Sequence, residues 1–166
     1  MITRDDIQSV TALLARWLLG GFFLWMGLSK ALHPVDFLKL VRQYDLVQSA
    51  LLLNLLASSL PWFEVFCGLL LAGGIAVRGA ALMSLLMLVP FTALVLKRAL
   101  AIHAAGAIAF CAIRFDCGCG AGEVLICHKL IENGLLILLS AWLVLSRCPK
   151  FCLRHDLRLR GCAPLR

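Results

Sequence analysis

The chain lacks what a water-soluble domain needs. Only 15% of its 166 residues are charged, and acidic side chains are the scarcer kind, nine Asp and Glu against sixteen Lys and Arg. It has no internal repeat, no low-complexity tract and no linker, which excludes a repeat array or a string of tethered domains. No small-x-small cleavage site follows Met1-Ile2-Thr3-Arg4-Asp5-Asp6, and the apolar run behind it is too long for a signal-peptide core. The first segment is therefore expected to stay as a helix. What is present is apolar: 62% of residues and a mean hydropathy of +0.95, against roughly 45–50% apolar in soluble domains. The expected solvent is a bilayer. Each crossing takes about 20 residues, so the chain holds one transmembrane domain and no separate soluble domain of useful size. A net charge of +7 would suggest nucleic acid in a soluble protein. Here the basic residues sit at segment ends and in the tail, where membrane lipid headgroups meet them, and no nucleic-acid partner is expected.

Four spans are legible. The first covers about 11–32 and stops before His33-Pro34, because proline lacks the donor that helix needs and disfavours helix at the residue before it. Between Val35 and Gln48, Phe37, Leu40, Val41 and Tyr44 recur at helical spacing with Lys39, Arg42 and Asp45 between them, the pattern of a short amphipathic helix lying in the interface. The second span covers 50–77 with Pro61 inside it, and a tight hairpin at Arg78-Gly79 leads to the third, 79–96. The stretch from Ala99 to 113 is too short for another crossing and reads as a helix extension or a re-entrant piece. The last span covers 129–146, followed by a basic tail, 147–166. The expected fold is all-α: an integral membrane four-helix bundle with a short amphipathic interfacial helix after helix 1.

An even number of spans puts both termini on one side. The tail carries Arg147, Lys150, Arg154, Arg158, Arg160 and Arg166, and Arg4 and Arg78 join it, which the positive-inside rule assigns to the cytoplasm. The other side has Lys30, Lys39, Arg42, Lys97, Arg98, Arg114 and Lys129, so the charge asymmetry is small. On this orientation the 117–119 turn faces the oxidising side, where disulfides persist.

Eight cysteines in so short a chain call for a reason. The strongest group is Cys117-Gly118-Cys119, two thiols on a glycine-rich turn that oxidise together only in a strained ring, which makes a good oxidant or a good partner for a third thiol. Arg114 and Lys129 lie near in sequence, and positive charge favours the attacking thiolate. Cys127 is the natural third member. Alternatively Cys117, Cys119, Cys127 and His128 hold a soft metal such as copper(I) or zinc, although the spacing is not that of a zinc knuckle. Cys111 is near enough to join but suits a buried apolar thiol equally well. Cys67 reads as a core residue, and Cys148, Cys152 and Cys162 as reduced or lipidated tail thiols or a weak metal signal.

Glu64 is the second feature, since an acid halfway through an apolar span is paired or functional. Two readings are open for Leu60-Pro61-Trp62-Phe63-Glu64. In one, Pro61 opens the backbone and Trp62, Glu64, Arg16 and Lys30 form a small-molecule or proton site. In the other, Glu64 is half of a buried ion pair with Arg16 or Lys30, which share a face of helix 1 with Gly20, Phe23 and Gly27. Those glycines permit close helix approach.

Arg16-Trp17-Leu18-Leu19-Gly20, Gly27-Leu28-Ser29-Lys30, Leu60 to Glu64, Arg78-Gly79-Ala80-Ala81 and Asp116-Cys117-Gly118-Cys119-Gly120 together resemble the MauE/DoxX-like family of small four-helix membrane proteins, over roughly residues 12–145. The resemblance implies a bundle distantly like the vitamin K epoxide reductase and DsbB types of thiol oxidoreductase, acting beside a thioredoxin-like protein outside the cytoplasm. MauE is associated with maturation of methylamine dehydrogenase. The family's Asp-Cys-Gly-Cys-Phe-Gly occurs here without its aromatic residue, and Cys127-His128 stands where tryptophan is usual.

The expectation is thus a multi-pass protein of the bacterial inner membrane with a periplasmic cysteine turn. Its leading reading is a thiol–disulfide oxidoreductase: Cys117 and Cys119, with Cys127, exchange electrons with a thioredoxin-fold partner, linked by analogy of fold to a membrane quinone near Trp62 and Glu64. The competitors are a copper-, zinc- or mercury-handling membrane protein and a non-catalytic anchor subunit of a larger respiratory-type complex.

Overall fold

The computed structural model describes residues 4–43, 49–106, 109–116 and 123–146. In order, it contains helices α1 (Arg4–Leu32), α2 (Pro34–Gln43), α3 (Ala50–Gly73) and α4 (Val77–Ala105), a 3₁₀ turn (Phe110–Ala112), strands β1 (Arg114–Asp116) and β2 (Glu123–Leu125), and α5 (Ile126–Leu145). Four of these helices, α1, α3, α4 and α5, are long and apolar enough to cross a membrane. They form the expected all-α bundle, with α2 as the short amphipathic helix after helix 1. Their outward faces carry Leu18, Trp25, Leu51, Trp62, Leu138 and Leu145, all exposed, as suits side chains that meet lipid.

The bundle is built on an α1–α3 contact that only small residues allow. A Cβ on Gly20 would come within 2.9 Å of the Gly68 carbonyl oxygen, one on Gly68 within 2.8 Å of the Gly20 carbonyl oxygen, and one on Gly27 within 2.8 Å of the Pro61 carbonyl oxygen. The backbones meet directly along two helical turns, as in other membrane helix pairs with small residues at the seam. Arg16, Gly20, Phe23, Gly27 and Lys30 all lie buried on this face. Pro61 frees a carbonyl without breaking the helix. It deletes one hydrogen bond, to the Ala57 carbonyl, while α3 continues through it to Gly73.

The α3–α4 connection differs from the expected hairpin at Arg78-Gly79. Helix α3 ends four residues earlier, where Gly74 takes the left-handed conformation (φ 71°); its N–H donates to the Leu71 carbonyl and that of Ile75 to the Leu70 carbonyl. This is the Schellman arrangement that glycine favours. Arg16 completes it from α1, its Nε donating to the Leu71 carbonyl at 3.0 Å. On the same side Arg78 Nε donates to the Val144 carbonyl at 2.9 Å, near the end of α5. Two cations thus serve two helix C-termini, where carbonyls lack helical donors.

At the opposite end the chain departs most from the sequence reading. Helix α4 extends past 96, but only to Ala105; near the end of the expected extension stands a 3₁₀ turn, Phe110–Ala112, and a β-hairpin follows it. Strands β1 and β2 pair antiparallel with Arg114 opposite Leu125, Phe115 opposite Val124 and Asp116 opposite Glu123. Three residues per strand are too few for alternation to be readable. The hairpin is seated on the bundle by Ile113 and Ile126, which join Met26, Val95 and Ala99 in one buried cluster, and the Ile126 N–H donates to the Ile113 carbonyl at 3.1 Å. Helix α5 accordingly begins at Ile126 and ends at Leu145.

Candidate functional site

Two constellations stand out, a disulfide on the hairpin and a layer of charge inside the bundle.

The disulfide joins Cys111 to Cys127, with Cα atoms 5.1 Å apart and a sequence separation of 16. Cys111 lies in the exposed 3₁₀ turn and Cys127 in the first turn of α5, so the bond closes the base of the hairpin whose strands lead to residues 117–122. Cys127 was expected as the third member of a thiol set. Its partner is instead Cys111, the residue the sequence left as a spare. The hairpin explains why: an antiparallel ladder returns the chain beside itself and brings 127 back to 111. Cys117 and Cys119 themselves lie outside the described residues. Cys67 is a buried free thiol in the α1–α3 core, in agreement with its reading as a core residue.

Arg114 is exposed on β1. Lys129, the other cation expected to assist the thiols, turns into the bundle: it is 2% exposed, its Nζ donates to Glu132 Oε2 at 3.2 Å, and it lies 5.5 Å from the centre of the Phe22 ring. Among the described residues no group of three or more His, Cys, Asp or Glu is placed to hold a metal. Of the four side chains proposed as metal ligands, Cys127 has its sulfur in the disulfide and Cys117 and Cys119 are outside the described residues. His128 is exposed at the start of α5.

The charge layer centres on Lys30 and Glu64. Lys30 Nζ donates to both carboxylate oxygens of Glu64, at 2.6 and 2.8 Å, with Lys30 4% and Glu64 9% exposed. The rings of Phe37 and Phe91 stand 5.4 and 5.7 Å from the ammonium. In hydrocarbon such a pair is tolerated because each charge neutralises the other and their hydrogen bonds are made internally. One helix turn beyond Lys129, Asn133 Nδ2 donates to Thr92 Oγ1 at 3.1 Å. This hydrogen bond ties α4 to α5 as Lys30 and Glu64 tie α1 to α3.

The four residues expected to hold a cofactor do not form one site. Lys30 and Glu64 come together. Arg16 is fourteen residues from Lys30 along α1, about 21 Å at 1.5 Å per residue, and serves the end of α3. Trp62 is two residues from Glu64, about 200° round the helix, and is 62% exposed on the outer face. The cavity beside the pair, lined by Phe23, Met26, Met87, Leu88 and Phe91, has a volume of about 30 Å³. That is room for water. With Arg16 and Trp62 elsewhere, the four residues do not together line one quinone site.

Residues 8–146, which include all four spanning helices, the hairpin and both constellations, match the family described as methylamine utilisation protein MauE. The chain belongs to the MauE family. No curated protein and no solved structure gives a match of significance. The MauE match thus covers the cysteine-bearing hairpin as well as the helices, so the site is part of the family domain and not an appendage to it.

Proposed function

We propose that this MauE-family protein is a membrane thiol–disulfide redox protein that exchanges electrons with a thioredoxin-fold partner through its hairpin. The observation that carries the reading is the Cys111–Cys127 disulfide with one sulfur-bearing residue exposed, at the base of a hairpin whose connecting residues hold two more cysteines. Exchange needs a disulfide that an incoming thiolate can reach. The rest of the bundle supports it as an anchor: Lys30, Glu64 and Lys129 are paired inside it.

The outer location of the hairpin gains support from the same burial. Lys30 and Lys129 are buried and paired, and so do not interact with headgroups. The outer segments then carry Lys39, Arg42, Lys97, Arg98 and Arg114, against Arg4, Arg78 and the six basic residues of the tail, a clearer positive-inside asymmetry than the sequence alone offers.

The second reading, a non-catalytic anchor, is favoured by one feature: the disulfide spans the hairpin and could serve only as its staple. Redox titration with thiol trapping and mass spectrometry in native membranes separates the two. A working couple titrates between about −300 and −100 mV, the span of thiol carriers, whereas a structural staple stays oxidised below about −300 mV. No titrating pair among Cys111, Cys117, Cys119 and Cys127 would leave the anchor reading.

A further inference from the structure

The two sulfurs of the hairpin disulfide are not equivalent, and we propose that a dithiol protein partner attacks Cys111 and that Cys127 is the leaving group. This rests on the thiol-exchange reading and gives it a direction.

Access is the first argument. Cys111 is exposed in a three-residue turn, whereas Cys127 is half-buried and packs against the cluster of Met26, Val95, Ala99, Ile113 and Ile126. A thiolate displaces one sulfur from another, so it needs free space at the sulfur it attacks. Residue exposure favours Cys111; at Cys127 the bundle core stands beside it.

The leaving group is the second argument. As the bond breaks, negative charge grows on the sulfur that departs, and the reaction is faster when that charge is stabilised. On Cys127 the charge grows in the first turn of a twenty-residue helix, where Leu125 supplies no side-chain cap and the helix carries the equivalent of about half a positive charge. On Cys111 it would grow on a short turn without such a field. Both arguments select the same direction.

The step is balanced without any further oxidant. The partner's thiolate bonds to Cys111 Sγ while the Cys111–Cys127 bond breaks, leaving Cys127 as a thiolate and a mixed disulfide on Cys111. The partner's second thiol loses its proton and attacks its own neighbour in that mixed disulfide, which frees Cys111. The partner ends as a disulfide, two electrons and two protons poorer, and Cys111 and Cys127 end as two thiols.

The test uses the full chain, oxidised, in lipid nanodiscs. It is mixed with a reduced thioredoxin whose resolving cysteine is replaced by alanine, so that the mixed disulfide cannot be resolved. After acid quenching and alkylation, mass spectrometry of the digest locates the adduct. The expected result is an excess of roughly tenfold or more of the Cys111 adduct over the Cys127 adduct. An adduct mainly on Cys127, or equal amounts on both, overturns the direction and leaves thiol exchange standing. An adduct on Cys117 or Cys119 with none on Cys111 overturns the proposal and leaves thiol exchange standing, whereas no adduct on any of the four cysteines overturns both.

Discussion

Lys30 and Glu64 show how a single pair of side chains governs a membrane bundle. Removing one partner strands the other charge in a dry interior, and breaking a buried pair this way costs about 3–5 kcal/mol. Glu64→Leu and Lys30→Met are each expected to lower stability by about that amount. The double variant should recover most of the loss, because two apolar side chains of similar volume leave no unpaired charge. Unfolding curves of the four proteins in one detergent form a double-mutant cycle that measures this directly. Additive losses would mean that the contacts at 2.6 and 2.8 Å do not hold the helices together. The sequence located both residues on facing helix stripes but left Arg16 and Lys30 as equal candidates. What decided between them was distance along α1, since Arg16 lies fourteen residues from Lys30, beside the C-terminal end of α3, where it meets the Leu71 carbonyl.

Between helices the decisive quantity is the room for a Cβ. Gly27→Ala would drive a methyl group against the Pro61 carbonyl oxygen and the Val65 backbone nitrogen, both backbone atoms that cannot swing aside. An overpacking loss of about 1–3 kcal/mol is expected. Gly134 on α5 has nothing within 4 Å of such a position, so Gly134→Ala should instead gain about 0.5–1 kcal/mol of helix propensity. Thermal unfolding of the two variants in the same detergent distinguishes close backbone packing from a general dislike of alanine. Gly20 and Gly27 could be read as a packing stripe because their spacing places them on one face. The hairpin could not be read in the same way: β1 and β2 are three residues each, and their pairing with the bundle depends on Ile113 and Ile126 finding Met26, Val95 and Ala99 from distant parts of the chain.

For the whole molecule, four crossings by the four candidate spans would put α2, the hairpin and the start of α5 on one side of the membrane, and the α3–α4 turn and the end of α5 on the other. A membrane-impermeant maleimide applied to spheroplasts after reduction should label Cys111 and spare a cysteine introduced at exposed Arg78, with the reverse pattern in inverted vesicles. Labelling of Cys111 only in inverted vesicles would reverse the orientation. The sequence by itself determined the solvent, the spans and the need to pair Glu64, because hydropathy and the cost of a charge in hydrocarbon are local properties of the chain. Tertiary structure alone decided that Lys30 is the partner of Glu64, that Trp62 faces outward from it, and that Cys127 bonds to Cys111. Each of these depends on which surfaces meet after the helices and the hairpin have packed, and a contact between residues distant in sequence leaves no periodic trace in it.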